Sequence, residues 1–170
     1  MTTSVGEQSA RSRPLMRAVV ATRYGSPDVL RVGEVPKPTP GDDEILVRVR
    51  ATVVGPPDSA TREGRPFLVR LFSGLRRPAG VPGDVFAGDV EAVGQNVAQF
   101  APGDAVFGTA APESGAHAEY LCLPEDAAVA VLPSNVTYGE AAAVCDGGLT
   151  AMAFLTDHAC LQSGESVLVN

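Results

Sequence analysis

Cysteine is scarce in this chain, and its spacing excludes the chemistry that clustered cysteines support. Cys122, Cys145 and Cys160 lie 23 and 15 residues apart, which fits neither a C-x-x-C pair nor a Cys/His zinc pattern. Free thiols acting as small core residues are the expectation. The odd count and the lack of an export segment point to a reducing, cytoplasmic setting. The opening MTTSVGEQSARSRPL has arginine and serine but no apolar core of the length that secretion requires, and 1–15 reads as a disordered leader. No apolar run approaches the ~20 residues of a membrane-spanning helix, so no membrane partner is expected. Concentrated positive charge is missing too: 13 basic against 20 acidic side chains leave a net charge of −7. The basic residues are scattered apart from Arg76-Arg77 and Arg62/Arg65. Phosphate binding needs a basic face, so nucleic acid is excluded as a partner. A phosphate-cradling loop is likewise wanting. Gly80-x-x-Gly83 lies in a loop with no strand before it, and no G-x-x-x-x-G-K followed by Ser or Thr occurs.

What is present is a strand-and-turn rhythm. From Met16 the text runs MRAVVA, YGSPD, VLRVGEV and PKPTPGDD, short apolar runs divided by proline and glycine. In EILVRVRATVV, alternation puts Ile45, Val47, Val49 and Ala51 on one face and Leu46, Arg48 and Arg50 on the other, a half-buried antiparallel strand. DVEAVG, DAVFGT, HAEYLCLP and AVAVLP continue the series, and such spacing predicts a compact, partly open β-barrel. In RPFLVRLFSGLRRPAGVP (65–82), Leu68, Leu71, Phe72 and Leu75 fall at helical spacing. A short amphipathic helix ending near Arg77-Pro78 and packed on the barrel as a lid is expected.

After Pro133 the pattern changes. Thr137-Tyr138-Gly139-Glu140 has the spacing of a capping box. It opens a helix that Gly147-Gly148 should break before LTAMAFLTDHACLQ forms a second one. Ser163-Gly164 then ends the helix, and GESVLVN reads as a buried parallel strand, so 134–170 starts an α/β layer.

These stretches together resemble the N-terminal half of the medium-chain dehydrogenase/reductase superfamily, in its zinc-free, quinone-oxidoreductase-like branch. The resemblance rests on MRAVVATRYGSPDVLRVGEVPKPTPGDDEILVRVRA, FLVRLFSGLRRP, PGDVFAGDVEAVGQNVAQFAPGDAVFG, HAEYLCLPED, EAAAV, GLTAMAFL and GESVLVN, in family order. It implies a mainly β, α+β chain: a GroES-like, partly open barrel with short helices over 16–133, then linking helices and the first strand of a truncated Rossmann domain over 134–170. The family function it implies is zinc-independent NAD(P)H-dependent reduction of quinones, enones or related carbonyls by direct hydride transfer. Either NADP or NAD would serve the completed enzyme. In relatives a glycine-rich turn follows this strand and admits the cofactor pyrophosphate at a helix N-terminus. Here the sequence stops at Asn170, so the 170-residue chain alone is expected to bind no nucleotide and to be inactive. A fragment of a longer reductase, a split enzyme with a separate Rossmann domain, and a degenerate remnant or non-catalytic GroES-like binding module all remain open. Homodimerisation is implied only through the missing domain.

The same resemblance supplies site expectations. Metal-binding relatives use a cysteine near the third strand and a His-Glu pair in the following glycine turn. These positions fall in Thr52-Val53-Val54-Gly55 and Gly83-Asp84-Val85-Phe86-Ala87-Gly88, where aliphatic groups cannot ligate, and no four-cysteine lobe lies between Gly108 and Gly115. No zinc is expected, and Asp84 and Asp89 read as turn and surface carboxylates. In the zinc-free branch an asparagine lines the nicotinamide pocket in an S-x-N-P-x-D-like loop. Here that loop is Val53-Val54-Gly55-Pro56-Pro57-Asp58, with Gly55 at the asparagine position and Ala60 where some relatives have tyrosine. Gly55, Asp58 and His117 are the catalytic candidates: His117 as a proton donor near neutral pH, Asp58 alternatively as a hydrogen-bonding group at a helix start. Alternation places His117 with Glu119, opposite Ala118 and Tyr120. Arg62 and Glu63 read as a solvated pair and His158 as a cation at a helix C-terminus. Thr150 and Asn170 are carried over as cofactor contacts.

Overall fold

The computed structural model describes residues 13–111 and 114–168. The first twelve residues of the expected leader and the last two of GESVLVN therefore lie outside the described residues. Leu15, the last residue of the expected leader, instead opens β1 (Leu15–Ala21), which pairs from that residue with β2 (Leu30–Pro36), Leu15 opposite Pro36. A five-stranded antiparallel sheet follows in the order β6-β3-β4-β5-β7. Its strands are β3 (Glu44–Thr52), β4 (Val85–Val93), β5 (Ala105–Thr109), β6 (Tyr120–Pro124) and β7 (Val129–Val131). The mainly β architecture stands, with the sheets open and not closed into a barrel. They meet at one seam. Val19 N–H donates to the His117 carbonyl (2.8 Å), Glu119 N–H to Arg17 (3.0 Å) and Val49 N–H to Glu119 (3.0 Å). The segment leading into β6 thus satisfies the edges of β1 and β3 together, which removes unpaired groups that would otherwise be exposed.

Two bulges decide which side chains share a core. On β4, Leu46 pairs with Ala92 and Val47 with Val90, leaving Glu91 extra; on β3, Val49 pairs with Gly88 and Ala51 with Ala87, leaving Arg50 extra. Each extra residue inverts the alternation beyond it. Val49 accordingly packs with Ile45, Val47, Phe86, Val90 and Val106. Ala51 does not stay on that face, as strict alternation predicts, but joins Val85, Ala87, Ala141 and Cys145 on the other side of the sheet. Gly88 sits in the ladder because a Cβ there would overlap the Arg48 carbonyl.

The helices position the site. α1 (Pro56–Glu63) starts where Pro56 and Pro57 occupy first-turn positions whose N–H groups have no helical partner anyway. Gly64 ends it at φ 62°, and a Cβ at that position would press on Tyr24 and Arg70. α2 covers only Val69–Ser73, shorter than the expected amphipathic helix. The chain turns back at Gly74 (φ 110°), and Ala79 N–H donates to the Ser73 carbonyl (2.7 Å). Leu75 therefore cannot extend the stripe, and Leu68, Leu71 and Leu75 are 57–63% exposed, so they do not pack as a lid.

Thr137 and Glu140 form the expected capping box, Thr137 N–H donating to the Glu140 carboxylate at 2.9 Å. α3 (Tyr138–Ala143) then passes, without the expected break at Gly147-Gly148, into a π-helical turn at Val144–Gly148. α4 (Leu149–Met152) and a π-helical end at Ala153–His158 follow. Gly148 holds φ −67° and ψ −44°. A helical glycine costs ~1 kcal/mol relative to alanine, a penalty that packing of Ala141, Ala142 and Cys145 on β4 can offset. From Leu149 onward that packing ends, and Leu149, Met152 and Phe154 are exposed. The predicted strand is not formed over Glu165–Leu168, and Leu168 is 93% exposed. A parallel strand needs neighbours to take its N–H and C=O groups, and none of the described residues supplies them. Among the described residues no helix is long and apolar enough to cross a membrane.

Candidate functional site

A cleft of about 590 Å³ opens at the seam between the sheets. Its apolar walls come from β1 and β2 (Ala18, Val19, Leu30, Val32), from the end of β3 (Val49, Ala51) and from Val54, Pro82 and Ala116. Polar side chains enter at Arg17, Arg50, Thr52, Asp58, Ser59, Arg62, His117 and Glu119. This size and this mostly apolar lining with a few convergent polar groups suit a small organic ligand.

Most of those polar groups are already committed. Asp58 accepts the Gly55 N–H at 2.8 Å and closes the first turn of α1. Thr52 Oγ1 donates to the Val85 carbonyl at 2.7 Å. Arg17 holds Glu119 through its backbone N–H (2.8 Å) and its guanidinium (2.9 Å), and these bonds keep that carboxylate below its ordinary pKa. Arg62 is not a solvated group but largely buried: it donates to the Gly25 carbonyl and to Glu63 (2.9 Å). Asp89 is not a turn carboxylate either. It lies on β4, where Arg50 Nε donates to it at 2.7 Å and Tyr138 Oη donates to its other oxygen. Burial opposes its ionisation, but the two donors outweigh that and lower its pKa. Ser59, unremarked in the sequence, adds a hydroxyl to the cleft wall beside Asp58.

His117 reaches the cleft by a different geometry from the expected strand. Residues 116–119 form a bridge in which Ala18 opposes Ala118, and Ala116, His117, Ala118 and Glu119 all line the cleft. Tyr120 lies apart, under the Lys37 ammonium at 3.6 Å from the ring centroid. His117 Nε2 lies 3.1 Å from the Val53 carbonyl oxygen. Since a carbonyl only accepts, the ring carries its proton on Nε2. The ring also packs on Gly83: a Cβ there would come within 2.7 Å of His117 Cδ2, and Gly83 has φ 103°. The Pro82-Gly83 dipeptide was the only local signal of this close approach.

The structure brings Gly55, Asp58 and His117 to one corner, since Val53 to Asp58 is the loop that His117 tethers. It adds Asp146, whose Oδ2 would lie 3.3 Å from a Cβ at Gly55. Thr150 sits one turn further along that helix, exposed, its hydroxyl donating to the Asp146 carbonyl at 3.2 Å, and it does not line the cleft. His158 lies at the far helix end with its ring tilted 45° to that of Phe154, ring centroids 5.5 Å apart. Asn170 lies outside the described residues.

A dinucleotide needs a glycine turn between a strand and a helix N-terminus. Among the described residues Gly55 joins β3 to α1, but it is followed by Pro56 and Pro57, which have no N–H to offer a phosphate. Gly64, Gly74, Gly80 and Gly83 serve α-helix ends and the loop before β4, so the residues present do not make a pyrophosphate cradle. Nor does any group of three or more His, Cys, Asp or Glu among them stand together as a metal site.

Comparison with known proteins gives this geometry a context. Residues 41–134 match the alcohol dehydrogenase GroES-like domain. Over 162 residues the chain is 37% identical to the quinone oxidoreductases of Lama guanicoe and Homo sapiens, covering 95% of this chain and 47% of each of theirs. The quinone oxidoreductase structure from Coxiella burnetii superposes with a TM-score of 0.79 at 28% identity, over 88% of this chain and 47% of that one. A mycobacterial structure complexed with NADPH superposes at 0.73, with 31% identity over 88% of this chain and 42% of that one. The chain thus spans about half the length of the curated relatives it matches.

Proposed function

The chain belongs to the alcohol dehydrogenase GroES-like domain family, within the medium-chain dehydrogenase/reductase superfamily, and on that footing we propose that it is the substrate-side domain of a zinc-independent, NAD(P)H-dependent oxidoreductase. Its substrates on this reading are quinones, enones or related carbonyls. The observation that carries it is the apolar cleft at the seam, set beside the Val53-Val54-Gly55-Pro56-Pro57-Asp58 loop, which resembles the loop that lines the nicotinamide pocket in the zinc-free branch. Val19, Val32, Val49, Ala51 and Val54 would exclude water from a planar carbonyl compound. The Ser59 hydroxyl would donate to its oxygen, a fixed donor being worth more in a dry site than in water.

The nicotinamide cofactor would supply the electrons from a nucleotide-binding part beyond these residues. Within the chain, Arg17, Arg50, Arg62, Asp58 and His117 hold the walls in place through the bonds described above. That division of labour supports a 170-residue polypeptide that binds carbonyl compounds but does not reduce them alone. The lack of a cysteine in Thr52-Val53-Val54-Gly55 and the aliphatic Val85 in the glycine turn support metal independence.

Titration of NADPH fluorescence separates the parts. The 170-residue chain is expected to leave the fluorescence unchanged, and the same chain joined to a glycine-loop nucleotide domain to bind NADPH and reduce a benzoquinone with no metal found by elemental analysis. Stoichiometric NADPH uptake by the short chain, a bound zinc ion, or no activity in the joined form would defeat the reading.

A further inference from the structure

Leu30, Arg62 and Pro82 line the 590 Å³ cleft and also a second cavity of about 280 Å³. The second cavity is walled by Ala21, Val69, Pro78 and Ala79 and by the more polar Ser73 and Ser114. The three shared residues stand between the two spaces, and each is fixed from a different element. Leu30 begins β2 directly after the buried Val29. Pro82 is held through its carbonyl, which accepts the His117 N–H at 2.9 Å. Arg62, on the last turn of α1, has a side chain only 13% exposed. It is clamped reciprocally: the Gly25 N–H donates to the Arg62 carbonyl at 3.1 Å, while the Arg62 guanidinium donates to the Gly25 carbonyl.

A side chain so pinned cannot swing aside without breaking bonds in a half-buried place, where polar groups left unpaired are costly. We propose that Leu30, Arg62 and Pro82 form a fixed partition that limits the length of the substrate's substituent, making Leu30 and Arg62 specificity-determining residues of the cleft. This rests on the reading of the cleft as a carbonyl-substrate site. A ring and a short substituent fit the cleft. A longer tail runs into the partition, although free volume lies directly behind it.

Calorimetric titration of the 170-residue chain with 1,4-benzoquinones bearing a 2-methyl, 2-butyl or 2-decyl group, with amide shifts followed by NMR, tests this. The methyl compound is expected to bind and to shift Ala18, Val49 and Ala118, and the decyl compound to bind about tenfold more weakly. Leu30→Ala should raise decyl affinity relative to methyl affinity about tenfold and spread the decyl-induced shifts to Ala79 and Ser114. Leu30→Val, a gentler change should Leu30→Ala fail to fold, should recover part of that gain. Adding Ala79→Phe, which fills the second cavity, should cancel it. The partition is refuted if the decyl compound already shifts Ala79 and Ser114 in the unaltered chain, or if neither Leu30 variant favours the longer tail. If the methyl compound does not bind at all, the substrate-site reading falls and the partition with it.

Discussion

The His117 imidazole donates from Nε2 to the backbone carbonyl of Val53 across 3.1 Å, tying the segment that joins the two sheets to the loop that starts α1. A ring so engaged is a brace first. His117→Ala should cost about 1 kcal/mol of stability in urea denaturation, the usual net worth of one hydrogen bond. His117→Gln, whose amide can donate to the same carbonyl, should recover most of it. In an enzyme completed by a nucleotide domain, the glutamine variant should largely keep kcat, and a fall of about a hundredfold would instead make the ring the proton donor.

Gly55 faces Asp146 across a gap that a side chain would fill, the nearest carboxylate oxygen lying 3.3 Å from the position of a Cβ. At φ −114° the backbone itself admits other residues. Gly55→Asn can donate an amide proton to Asp146 and should be near neutral in stability. Gly55→Asp sets a third carboxylate beside Asp58 and Asp146 and should be less stable than the asparagine variant by about 1 kcal/mol at low salt. The difference should shrink in 1 M NaCl, where screening acts over a few ångströms. A difference that ignores salt would mean that shape and not charge governs this corner.

Asp89 makes stability depend on acid. Its folded pKa is held below the ordinary 3.8, burial opposing but the Tyr138 and Arg50 donors prevailing. With the folded value depressed, the contribution is complete above the ordinary value and is lost as pH falls through the lowered one. Asp89→Asn and Tyr138→Phe should each flatten the decline of the urea midpoint below about pH 4, relative to the unaltered chain. An unchanged slope in both variants would place the acid sensitivity elsewhere.

The three thiols should react in order of access. Burial, aided by Glu44, pushes the Cys122 thiol up to about 12, and burial with Asp146 nearby raises that of Cys145. Cys160 is exposed. Iodoacetamide at neutral pH should give one adduct, mapped to Cys160 by peptide mass, and three after unfolding in guanidinium. Early labelling of Cys145 would show that α3 opens from β4 in the native state.

Some of this was legible residue by residue. The Thr137-x-x-Glu140 spacing located a helix start because a capping box depends on groups three residues apart. Alternation in EILVRVR located β3 for the same kind of reason. The homologous text carried the fold as a whole, since the family's strands recur in order. Asp58 is legible as a hydrogen-bonding group at a helix start, and it accepts the Gly55 N–H there, whereas His117 could be named but not given its bond, because its partner, the Val53 carbonyl, belongs to backbone that any sequence would supply. Asp146 went unseen because only the path of α3 and its π turn sets it against Gly55. The predicted strand at GESVLVN failed for the complementary reason: its residues have the composition of a strand, and pairing requires neighbours that the described residues do not include.

By itself the sequence determined where the strands from β1 to β5 and their turns fall, which helix is capped, and that the apolar surface suffices for a β core, since these follow from side-chain chemistry acting over a few residues. Tertiary structure alone decided that Ala51 leaves the face of Val49, that every arginine in the cleft spends its charge on a neighbouring carboxylate or carbonyl, and that Leu30, Arg62 and Pro82 line both cavities. Those outcomes depend on register between strands distant in the chain. One extra residue in a ladder, at Arg50 or Glu91, reverses every side chain beyond it, and no local pattern records on which strand that residue falls.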